Sequence, residues 1–88
     1  MIKMAVIGCG YWGPNLIRNF HNLPEAELRM ICDLDRSRLD HVGSLYPHVA
    51  CTTDYQDIIA NPQVDAVAVA TPVSAHFQLG SEILAAGK

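Results

Sequence analysis

The chain has 88 residues, half of them apolar and 17% charged, which excludes a disordered tail and allows one domain with one modest core. Its net charge of −3, with six Lys and Arg scattered among nine Asp and Glu, provides no basic stripe for nucleic acid. The apolar runs Met4 to Ile7 and Ala66 to Ala70 are strand-length, far short of the roughly 20 residues that span a bilayer.

Residues 2–7 form a buried-strand pattern that stops at Gly8. Pro14 then suits a first helical turn, and Leu16, Ile17, Phe20 and Leu23 follow at helical spacing before Pro24 closes the segment. A second strand is expected from about Glu27 to Cys32, ending at Asp33. Asp35 is placed to cap a helix with Leu39, Val42, Leu45 and Tyr46 on one face, ended by Pro47. A short third strand lies near His48 to Thr52, and Thr53-x-x-Gln56 has the form of a capping box before Ile58 and Ile59. Asn61-Pro62 turns the chain into the clearest strand, Ala66 to Ala70, which reads as fully buried. After Thr71-Pro72 a last helix carries Phe77, Leu79, Ile83 and Leu84, with Gly87 as its stop.

Strands alternating with helices over such short connections imply an α/β fold with a parallel sheet and right-handed crossovers. The expected strand order is 3-2-1-4, a partial Rossmann (doubly wound) sheet with helices on both faces, filling residues 1–88.

Gly8-Cys9-Gly10-Tyr11-Trp12-Gly13 is a G-x-G-x-x-G segment between a strand and a helix. The first glycine permits the tight turn, the second a close approach of backbone to a pyrophosphate, and the third close packing of helix on strand. Unpaired N–H groups at the helix start face the phosphates. Asp33 follows 20 residues after Gly13, at a strand end, where a carboxylate accepts from ribose hydroxyls. That carboxylate favours NAD over NADP, although Arg36 and Arg38 lie close behind it and leave NADP open. Thr71 and Pro72, just past the fourth strand, should face the glycine turn across the crevice where strand order reverses, and His76 falls one helical turn later. Trp12 is placed either to edge a substrate or to shield the helix start, and Cys9 reads as a spacer.

The three cysteines are odd in number, far apart and in no C-x-x-C pattern, so reduced thiols are expected rather than a disulfide or metal framework. Met1 runs almost directly into the first apolar run without a basic leader segment, and a cytoplasmic protein with no membrane partner is expected.

The glycine segment with Pro14 and Asn15, then Asp33, then Ala70-Thr71-Pro72 with His76, resembles the N-terminal part of the NAD-binding domain of the Gfo/Idh/MocA oxidoreductases. The Gly-Tyr-Trp-Gly-Pro-Asn wording is similar to members acting on nucleotide-linked sugars. The resemblance implies hydride transfer between a nicotinamide cofactor and a sugar, polyol or nucleotide-sugar hydroxyl. It implies that Gly10, Tyr11, Trp12 and Gly13 meet the pyrophosphate, that Asp33 holds the adenosine ribose, and that Thr71, Pro72 and His76 line the nicotinamide side. In that family a fifth strand and a Glu-Lys-Pro motif with the catalytic lysine come next, and Lys88 precedes that point. An inactive piece of a dinucleotide-binding domain is therefore expected, without catalytic residues of its own. A homo-oligomer joined through the Ala66–Ala70 edge is also expected. A non-catalytic dinucleotide-sensing or scaffold module uses the same glycine turn and Asp33, and stays open at this level.

Overall fold

A computed structural model of the chain describes residues 2–8, 13–70 and 73–88, with the side chains of Pro14 and of 73–78 outside that description. Eight elements alternate: β1 (Ile2–Ile7), α1 (Gly13–Asn22), β2 (Ala26–Cys32), α2 (Arg36–Leu45), β3 (Ala50–Thr52), α3 (Gln56–Ile59), β4 (Ala66–Val69) and α4 (Val73–Ala85). The strands form one parallel sheet in the order β3-β2-β1-β4. The expected topology is observed.

The sheet divides the apolar residues into two layers by the two-residue alternation of a strand. Ala5 and Ile7 of β1 face Ile58 of α3 and Leu79 and Ile83 of α4, while Val6 faces Ile17 of α1 and Leu39 and Val42 of α2. In β2 the alternation is interrupted. Leu28 pairs with Met4 but Met30 pairs with Ala5, so Arg29 is an extra residue in the ladder. This bulge lets Leu28 and Ile31, three positions apart, enter the same α1/α2 layer, while Met30 and Cys32 enter the other. At about 25 cal/mol per Å² the burial of these side chains is the main stabilising term.

The helix ends agree with the sequence at two points and depart from it at a third. Asp35 caps α2 by accepting the N–H groups of Ser37 and Arg38. Gly87, at φ +79°, ends α4: its N–H donates to Leu84 O and that of Lys88 to Ile83 O, which is a Schellman motif. The Thr53–Gln56 capping box does not form. Tyr55 occupies the cap position of α3 and makes no side-chain capping bond. Instead the Thr52 hydroxyl accepts the Asp54 N–H at 3.1 Å, and the Asp54 carboxylate accepts the Gln56 N–H at 2.9 Å. The turn is one residue tighter than the box requires.

Three burial expectations also change. Leu45 is 62% and Leu84 76% exposed. Leu79 and Ile83 hold the sheet-facing side of α4, and Leu84 lies about 100° further round the helix. On α2, Leu39 and Val42 are buried and Tyr46 packs against their layer, so Leu45 at the helix end is left outside it. β4 is half-buried rather than fully buried, because among the described residues it pairs with β1 alone. Among the described residues, no helix is long and apolar enough to cross a membrane, and no group of three or more His, Cys, Asp or Glu is arranged to hold a metal ion.

Candidate functional site

Ile7 pairs with Cys32 on one side and with Val69 on the other. The residues that follow these three, Gly8, Asp33 and Ala70, therefore stand in one row along the carboxyl edge of the sheet. Hydrogen bonds hold that row. The Gly8 N–H donates to Cys32 O at 2.7 Å, and the Ala70 N–H donates to Ile7 O at 2.8 Å. The Asp33 N–H donates to Thr52 O at 3.3 Å, which extends the row to β3.

Gly8 is buried with φ +108°, in the region that favours glycine. Gly13, the first residue of α1, is buried against it. A Cβ on Gly13 would overlap the Gly8 carbonyl, lying 2.7 Å from its carbon. The helix thus starts hard against the end of β1, where its unpaired N–H groups and the positive end of its dipole lie at the crevice. This geometry suits an anionic group and leaves no space for a side chain at position 13.

Asp33 is half-buried, and its Oδ1 accepts the Asp35 N–H at 2.7 Å, which fixes the carboxylate beside the start of α2. Asp35 has its own work: its Oδ1 also accepts the Ser37 hydroxyl at 2.7 Å. The Ser37 hydroxyl, then the Arg38 N–H, hold the Asp35 carboxyl below the usual range. Arg36 pairs with Asp40 (3.1 Å) and Arg38 with Asp35 (3.6 Å). Cys32, under this row, has its thiol pushed up to about 11, first by burial and then by Asp33, Asp54 and Asp57.

Gly8, Gly13 and Asp33 are brought together as the sequence implies. Gly10, Tyr11, Trp12, Thr71 and Pro72, with Cys9, lie outside the described residues. His76 is in the first turn of α4, and its side chain is likewise outside the description. Sequence reasoning passed over Leu34. It is 87% exposed between Asp33 and Asp35, and the signal was an apolar residue alone between two acids in a turn.

Comparison with known proteins agrees with this geometry. The family model described as an oxidoreductase family with an NAD-binding Rossmann fold, GFO_IDH_MocA, matches residues 2–88. An uncharacterised oxidoreductase, YrbE of Bacillus subtilis (strain 168), is 28% identical over 87 residues, covering 99% of this chain and 26% of the relative. The structure of scyllo-inositol dehydrogenase from Lactobacillus casei, with bound cofactor NAD(H) and scyllo-inositol, superposes with a TM-score of 0.89 at 26% identity, covering 100% of this chain and 26% of that one. The WlbA dehydrogenase of Bordetella pertussis, in complex with NADH and UDP-GlcNAcA, gives a TM-score of 0.89 at 27% identity, with 99% and 26% covered. The chain thus spans about a quarter of the length of these relatives. Sheet-edge row, strand order and family match converge: this chain belongs to the Gfo/Idh/MocA oxidoreductase family and is part of its NAD-binding Rossmann fold.

Proposed function

We propose that these 88 residues carry the cofactor-binding part of an oxidoreductase that moves a hydride between NAD and a hydroxyl of a sugar, polyol or nucleotide sugar. The observation that carries the reading is the contact of Gly13 with the Gly8 carbonyl beside the fixed Asp33 carboxylate. The pyrophosphate would lie against Gly8, Gly10, Tyr11, Trp12 and Gly13 at the start of α1, and the adenosine ribose would be held by Asp33. Leu34 offers apolar surface for the adenine. Thr71, Pro72 and His76 would border the nicotinamide side, where Ala70 brings β4 to the row. The nicotinamide supplies the hydride chemistry; the residues of this chain bind and orient.

NAD is favoured over NADP. A 2′-phosphate beside Asp33 would meet its carboxylate, held in place by the Asp35 N–H. Arg36 and Arg38 are engaged with Asp40 and Asp35. The sugar or polyol substrate class is supported by the inositol and nucleotide-sugar dehydrogenases that share the fold. No acid–base or substrate role is assigned to a residue of this chain, so by itself it should bind without turnover.

Calorimetric titration with NAD and NADP, on wild type and Asp33→Ala, tests the reading. NAD should bind more tightly than NADP, and Asp33→Ala should weaken NAD about tenfold, the scale of a hydrogen bond to a charged group. Tighter NADP binding in wild type would reverse the cofactor assignment. A folded chain that binds neither nucleotide would defeat the reading for these residues alone.

A further inference from the structure

The α1/α2 layer has an outer groove that the cofactor reading does not use. Asn15 and Arg18 of α1 and His41, Val42, Leu45 and Tyr46 at the end of α2 line a cavity of 220 Å³. This is below the roughly 300–1,000 Å³ of pockets that take larger ligands, so its occupant is small.

Its lining is one-sided. Arg18 supplies a guanidinium, His41 an imidazole, Tyr46 a phenol and Asn15 an amide, over the apolar Val42 and Leu45. Among the described residues no carboxylate lines the cavity. Arg29, Arg36 and Arg38 each sit against a carboxylate. Among the described residues Arg18 has none; its Nη2 donates to Asn15 Oδ1 at 3.3 Å. That bond uses one of the five guanidinium N–H donors and orients the group beside the cavity. At the lower end the Tyr46 ring meets His21 edge-on at 4.8 Å, and His21 meets His48 at 5.4 Å. One guanidinium and the His41 imidazole thus line the cavity, with His21 and His48 packed beyond Tyr46.

We infer that the α1/α2 groove binds a small oxyanion, the phosphate group of a phosphate monoester, on Arg18 and His41. A guanidinium fork matches a phosphoryl oxygen pair and makes charge-assisted bonds. The imidazole and phenol supply further donors, and the exposed Leu45 contacts the carbon part of the ester.

The test is a residue-resolved NMR titration of the chain with inorganic phosphate and with phenyl phosphate, at constant ionic strength. It is run with and without NAD, so that signals of the groove separate from those of Gly8 and Gly13. Both probes should give saturable shifts at the Arg18, His41 and Tyr46 amides, with dissociation constants on the order of a millimolar. Arg18→Gln and His41→Asn, both on the surface, should weaken binding about fivefold each while the rest of the spectrum is kept. Tighter binding of phenyl phosphate marks an ester as the source, and equal binding marks free phosphate. Shifts that grow linearly, that sodium chloride reproduces, or that keep the wild-type dissociation constant in Arg18→Gln would overturn the site.

Discussion

Gly13 sits where any side chain would overlap the carbonyl of Gly8, so the first turn of α1 and the end of β1 are fitted backbone to backbone. Gly13→Ala must push α1 off the sheet. Overpacking of this kind costs about 1–3 kcal/mol, and the urea midpoint should fall accordingly. Affinity for NAD should fall with it, because the helix start moves from the crevice. An unchanged midpoint would show that the contact is relieved without cost.

Asp35 links acid stability to the start of α2. Its carboxyl is held below the usual range by the Ser37 hydroxyl and then the Arg38 N–H. A depressed folded value means that this stabilisation is present above the unfolded value of about 3.9 and is lost as pH falls through the folded one. Asp35→Asn keeps a capping oxygen but cannot titrate. Urea midpoints measured from pH 6 to pH 2 should therefore fall less steeply with acid in Asp35→Asn than in wild type.

Cys32 should be chemically quiet. With its thiol raised to about 11, only about a thousandth is thiolate at pH 8. Iodoacetamide should modify exposed Cys51 well before buried Cys32, read by peptide mass spectrometry under native conditions. The raised value also sets an alkaline limit. Its contribution to stability is full below about pH 9 and is lost as pH rises through about 11. Cys32→Ala should flatten that part of the pH–stability curve.

Lys88 ties the end of α4 to the turn before β4. Its Nζ donates to Asn61 O and Val64 O, each at 2.7 Å. Lys88→Met keeps most of the apolar stem and removes both bonds. The expected loss is about 1–3 kcal/mol, seen as a lower thermal midpoint. Slower amide exchange at Val64 in the variant than in wild type would contradict this role.

The sequence by itself determined the element order, the parallel 3-2-1-4 sheet and the places of Gly8, Gly13 and Asp33. These follow from local causes. Strand and helix periodicities differ, Pro and Gly punctuate them, and a glycine at φ +108° or against a carbonyl leaves its mark in the residue type. Tertiary structure decided the rest. The Arg29 bulge that sends Leu28 and Ile31 to one layer depends on pairing with β1, which no local pattern encodes. The Thr53–Gln56 box lost to Thr52 and Asp54 because the end of β3 had already positioned the Thr52 hydroxyl. Leu45 and Leu84 carry apolar side chains, but Leu39 with Val42 and Leu79 with Ile83 take the sheet-facing positions of their helices. The Arg18–His41–Tyr46 groove joins residues from two helices. Only packing α1 beside α2 on the same sheet face brings them within reach of one ligand.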